Sequence, residues 1–140
     1  MTVTPEMIAD AAAAAVQARQ HAYAPYSDFP MGAAVMTEDG SIVPGVLIEN
    51  VSLGLAMCAE RVALFTSVTQ QKRPAVLALC SRRTDDNFTF PCGACLQVAL
   101  ELSDQDLTVV AIDPDGAQTH TTLGDLLPKG PKRHTPGDSD

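Results

Sequence analysis

Two short stretches hold most of the chemistry this chain can do: Cys58-Ala59-Glu60-Arg61 and Pro91-Cys92-Gly93-Ala94-Cys95, each opening a segment that reads as a helix. Cys92 and Cys95 are three residues apart. On the first turn of a helix they share a face, where free backbone N–H groups and the positive end of the helix dipole favour thiolates. Both can bind one ion, and Cys58 supplies a third sulfur if the two helix starts meet. A zinc ion with three protein ligands keeps its fourth position for water, which separates a catalytic from a structural site. Glu60 can reach that water without binding the metal and act as its proton carrier. Three thiolates overcompensate the charge of the ion, so Arg61 and the two helix dipoles are the candidates to offset the excess. A lone C-x-x-C also fits a redox pair or a structural zinc. The structural reading needs a fourth protein ligand, yet Cys80, His21 and His120 all lie outside the motif.

The chain that must position these groups has 140 residues, 46% of them hydrophobic, enough for one domain with a core. Residues 1–128 are read as that domain and 129–140, rich in Lys, Gly, Pro, Asp and Ser, as a disordered tail. A formal net charge of −8 leaves no basic patch for a phosphate backbone, so a nucleic-acid polymer is not an expected partner. No basic leader with an apolar run follows Met1, and no apolar stretch approaches the ~20 residues of a membrane span. The expected location is the cytoplasm, where four cysteines are thiols or metal ligands rather than disulfides.

Thr4-Pro5-Glu6 is an N-cap, a proline at the first helical position and an early acid, leading into an alanine-rich helix from Met7 to Ala22 with His21 near its end. Met31–Met36 and Ile42–Ile48 flank Asp39-Gly40, the signal of an antiparallel hairpin. Cys58–Gln71 is the second helix, with Val62, Ala63, Phe65 and Thr66 expected on its inner side. Ala75–Cys80 and Leu107–Ile112 are nearly unbroken apolar runs, each preceded by a helix, as parallel neighbours covered on both faces should be. Cys92–Leu102 is the third helix, Ala117–Thr121 a short last strand and Thr122–Leu127 a closing helical turn. This order predicts an α/β fold, a three-layer α/β/α sandwich around a mixed sheet of about five strands.

The combination C-A-E-R, then P-C-x-x-C, preceded in order by Tyr26–Ala34 and Gly45–Asn50, resembles the small cytidine deaminases with three cysteine zinc ligands, of the homotetrameric type, over roughly residues 5 to 128. The resemblance implies a cytoplasmic hydrolase of pyrimidine salvage, acting on a cyclic amidine C–N bond with one zinc ion per chain. It would convert cytidine or 2′-deoxycytidine to the uridine with release of ammonia. It further implies that Cys58, Cys92 and Cys95 hold zinc and that Glu60 moves the proton from water to the ring nitrogen and then to the amine. Glu49 would bind a ribose hydroxyl, Phe29 would line the pocket, and the Ala59 N–H and Phe90 carbonyl would contact the base.

The recognition residues depart from the family pattern. Leu47 stands where the family has an asparagine that shares the ribose with Glu49, a loss of about 1–3 kcal/mol for a buried hydroxyl. Leu53 replaces a tyrosine, and no aromatic follows Phe90, whereas relatives carry a phenylalanine after the closing L-L-P. The alternative substrate is therefore a modified aminopyrimidine nucleoside, a blasticidin-type antibiotic or another amino-heterocycle.

Overall fold

The computed structural model describes residues 2–134 and 136–137. Helix α1 (Pro5–Arg19) begins as predicted, the Met7 N–H donating to Thr4 Oγ1 at 3.2 Å with Pro5 at the first position. It ends at Arg19 rather than Ala22 because its last turn seats directly on the first residue of strand β1 (Gly32–Thr37). A Cβ on Gly32 would lie 2.2 Å from the Arg19 nitrogen, and Arg19 Nε donates to the Pro30 carbonyl at 3.1 Å. His21 therefore sits exposed in the turn beyond the helix.

The hairpin forms where Asp39-Gly40 placed it, joining β1 to β2 (Ile42–Val46) in antiparallel register from Met36↔Ile42 to Gly32↔Val46. Then follow α2 (Ala59–Thr69), β3 (Pro74–Cys80), α3 (Gly93–Leu102), β4 (Thr108–Ile112), β5 (Gln118–Thr122) and a four-residue α4 (Leu123–Leu126). The strand order is β2-β1-β3-β4-β5. Only β3 and β4 run parallel, linked through α3 as the two apolar runs required.

Alternation along the strands divides the core. Ala34, Met36, Val76 and Val110 pack under the alanine stripe of α1, while Val35, Val43, Leu77 and Val109 pack under α2, α3 and α4. The three-layer expectation is met. On α2 the inner side is corrected: Ala59, Glu60, Ala63, Leu64 and Ser67 are buried, whereas Phe65 is 45% exposed. The inward stripe runs through Glu60, and a hydrophobicity pattern that discounts a carboxylate is rotated by one position.

Gly45 sets how closely α2 meets the sheet. A Cβ there would lie 2.4 Å from the Ala59 carbonyl oxygen and 2.5 Å from the Ala63 nitrogen, so only glycine lets the start of α2 rest on β2. Of the tail assigned to 129–140, residues 135 and 138–140 lie outside the described residues. Residues 130–133 run back along α3: Gln97 Nε2 donates to the Pro131 carbonyl at 2.8 Å, and Arg133 Nη1 donates to the Glu101 carbonyl at 2.8 Å.

Candidate active site

Cys58 and Cys92 are the N-cap residues of α2 and α3, with extended backbone at φ −67°, ψ 146° and φ −68°, ψ 167°. Neither side chain makes a capping hydrogen bond, which leaves both sulfurs available. The first backbone bonds of the two helices run from Val62 N to Cys58 O and from Leu96 N to Cys92 O, at 3.1 and 3.0 Å. The amides of residues 59–61 and 93–95 thus lack partners within their helices and carry the positive ends of both dipoles to one place.

Cys95, fully buried on the first turn of α3, completes a cluster in which the three Sγ atoms lie within 4.8 Å of one another. Cys92 and Cys95 Sγ are 3.5 Å apart, and Arg61 Nη2 donates to Cys58 Sγ at 3.3 Å. The hydrogen bond from Cys95 and then the Arg61 guanidinium bring the Cys58 thiol down to about 5. The bond to Cys58 and burial push the Cys95 thiol up, and the bond to Cys58 also holds the Arg61 proton more tightly.

Glu60 is 2% exposed, and its Oε1 has no hydrogen-bond partner. Burial, and then the negative charge of Cys58, push its carboxyl up to about 7. An orphaned carboxylate oxygen beside three converging sulfurs fits a metal with an open position. The donor set is the one zinc takes, and one zinc ion is the cofactor that these residues suit. Cys80 lies on the opposite, α1 face, and neither His21 nor His120 joins the cluster.

The residues expected to contact substrate lie on separate backbone segments, the loop at Phe29, the stretch 47–49, the start of α2 and the approach to α3. Ile48 and Met57 exchange backbone hydrogen bonds at 3.0 and 2.9 Å; continuing that antiparallel register sets Leu47 across from Cys58. On its other side the 47–49 segment pairs with Tyr23, through Tyr23 N to Leu47 O at 2.8 Å and Glu49 N to Tyr23 O at 2.9 Å. Ala59 is buried at the first position of α2. Phe90 is half-buried, its side chain packed against the core cluster beneath α3.

Glu49 has a task the sequence did not reveal. Its Oε1 accepts from the Tyr26 and Ser27 amides at 3.0 and 3.2 Å, and its Oε2 accepts from Ser27 Oγ at 2.5 Å. The Ser27 hydroxyl, followed by the two amides, lowers its pKa. The loop that leads to Phe29 is therefore tied to the carboxylate assigned to ribose. Arg82, on the stretch between β3 and α3, lies over the half-buried Phe29 ring. The signal for Glu49 was the chain spacing of Ser27 and Glu49 about a hairpin, which no local pattern encodes.

The family model described as "Cytidine and deoxycytidylate deaminase zinc-binding region" matches residues 5–111. A cytidine deaminase of Halalkalibacterium halodurans is 43% identical over 114 residues, covering 81% of this chain and 86% of that protein. One from Mycobacterium tuberculosis is 40% identical over 114 residues, covering 81% of each. Among solved structures, the cytidine deaminase of Burkholderia pseudomallei superposes with a TM-score of 0.81 at 40% identity, over 91% of this chain and 99% of that one. The chain belongs to the cytidine and deoxycytidylate deaminase family.

Proposed function

We propose that this chain is a zinc-dependent hydrolase that deaminates cytidine and 2′-deoxycytidine, releasing ammonia and leaving uridine or 2′-deoxyuridine. The observation that carries the reading is the buried, unpartnered Glu60 beside the three sulfurs at two helix N-termini. The cytidine deaminases at 40–43% identity support it over a different amino-heterocycle, the departure at Leu47 notwithstanding.

Cys58, Cys92 and Cys95 would hold the ion. When bound, zinc supplies Lewis acidity at an open position, which makes a water nucleophilic near neutral pH. Glu60 takes the proton of the attacking water, delivers it to the ring nitrogen adjoining C4, and carries a second to the departing amine. The balance is one water consumed and one ammonia released. Arg61 stays charged beside Cys58 and moderates the excess negative charge of three thiolates. The roles of Phe29, Glu49, Leu47, the Ala59 amide and the Phe90 carbonyl as substrate contacts belong to the same proposal. The backbone pairing of Ile48 with Met57 supports a place beside the centre for Leu47 and Glu49, and the bonds of Tyr26 and Ser27 to Glu49 bring the loop ahead of Phe29 to the same segment.

The proposal extends to a homotetramer in the cytoplasm. Val51, Leu53 and Leu55 are exposed, Leu53 at 86%, and Phe65 and Val68 lie on the outward side of α2, an apolar surface that a second copy could cover. Four free cysteines suit a reducing compartment, and among the described residues no helix is long and apolar enough to cross a membrane. The test is ammonia release from cytidine by the zinc-loaded protein. Turnover that disappears in Glu60→Ala while zinc stays bound supports the reading; full activity in that variant overturns the assigned mechanism.

A further inference from the structure

We infer that Arg82 is a positioning residue for the substrate pocket, acting through Phe29; the inference rests on the deaminase reading above. The Arg82 guanidinium carbon stands 5.1 Å from the centroid of the Phe29 ring, over its face. Its Nη2 also donates to the Asp28 carbonyl at 2.7 Å. Asp28 has a φ of 53°, in the left-handed region, so the chain turns sharply at the residue before Phe29. A charged donor on that carbonyl secures the turn, and the cation over the ring secures the side chain.

The direction of Arg82 is set by its own loop. In extended chain, neighbouring side chains point to opposite sides. Arg83 accordingly turns away, its Nε pairing with Asp113 Oδ2 at 3.0 Å and its guanidinium carbon lying 4.0 Å from the Phe88 centroid. Thr89 Oγ1 donates to the Arg82 carbonyl at 2.7 Å, and Thr84 and Asn87 exchange backbone hydrogen bonds at 3.0 and 2.9 Å. The segment that delivers Phe90, Pro91 and Cys92 to the site thus carries Arg82 to the wall where Phe29 stands.

None of the ion pairs among the described residues involves Arg82, so its charge is directed at a ring and a carbonyl rather than at an acid. With the cation on one face of the ring, the other face and the edge are left for a heterocycle. A side chain already ordered costs less to immobilise on binding, so the effect falls on substrate affinity and not on the chemical step.

The test uses the zinc-loaded full chain with cytidine. Arg82→Ala is expected to raise KM about fivefold and leave kcat within about twofold, with wild-type zinc content. Arg82→Lys, which keeps the charge and loses the planar fork, should fall between the two. In a Phe29→Leu background, which keeps bulk and removes the π face, Arg82→Ala should change KM by less than about twofold. An equal KM shift in both backgrounds, or a fall in kcat at constant KM, overturns the inference. A wild-type protein silent toward cytidine and deoxycytidine overturns the deaminase reading beneath it, whereas an active wild type with an unchanged KM in Arg82→Ala overturns only the role of Arg82.

Discussion

Arg61 Nη2 lies 3.3 Å from Cys58 Sγ, so the first turn of α2 supplies a metal-ligating sulfur at its cap, a buried acid two residues on and the cation that tempers both. Replacing Arg61 by Gln should weaken zinc binding by about 10- to 100-fold, the usual cost of losing a partner to a ligand. Competition with a chromogenic chelator reads this directly. Unchanged affinity would mean that the helix dipoles alone balance the three thiolates.

Glu60→Gln should lower kcat by about a thousandfold while leaving zinc stoichiometry intact, since the amide keeps the shape and loses the proton transfer. Anomalous scattering or metal analysis on the variant separates this from loss of the ion.

The same residue predicts a pH signature in the metal-free protein. Glu60 is raised from 4.5 to about 7 by burial. Its carboxyl contributes no penalty below pH ~4.5, where folded and unfolded chains both hold the proton. Stability is then lost as pH rises through the window up to about 7, by about 3 kcal/mol in all. Glu60→Gln should therefore overtake the wild type in denaturant midpoint above pH 7 and show little advantage near pH 4.5. An advantage of equal size at both pH values would argue against a raised carboxyl.

Glu49→Gln should loosen the loop ahead of Phe29, because three donors from Tyr26 and Ser27 converge on the carboxylate. Protection factors at the Tyr26 and Ser27 amides, corrected for intrinsic exchange, should fall in the variant and in the wild type at acid pH. The lowered carboxylate contributes its stabilisation above its ordinary pKa and loses it as pH falls through the folded value. Protection unchanged at those two amides would remove Glu49 from this role.

Gly45→Ala places a methyl 2.4 Å from the Ala59 carbonyl oxygen, against backbone that cannot rotate away. We expect a loss of about 3 kcal/mol in chemical unfolding and weaker zinc retention, because the displaced element carries Cys58. Stability lost with zinc affinity unchanged would show that α2 shifts along its own axis.

Much of this arrangement was legible before the structure. The two apolar runs, the Asp-Gly turn and the Thr4-Pro5 start are local signals, and they place β3, β4, the hairpin and α1 within a few residues. The cysteine spacing likewise marked the metal centre, because N-caps and i, i+3 neighbours are fixed by short-range geometry. What stayed hidden depends on tertiary contact. The end of α1 is set by Gly32, the rotation of α2 by a buried glutamate, and the partners of Glu49 and Phe29 lie more than twenty residues away along the chain.

Cysteines at both N-cap positions make no capping bond, and a helix lacking its cap oxygen forgoes about 1 kcal/mol. Two helices on one face of the sheet are thus weakly started until their ends are joined through the ion. Stripped of metal, the chain should open first at those two turns, while the strands beneath keep their protection. Zinc starvation of the cell would then shorten the lifetime of this protein as well as silence it, so its abundance, and not its activity alone, would follow the metal supply.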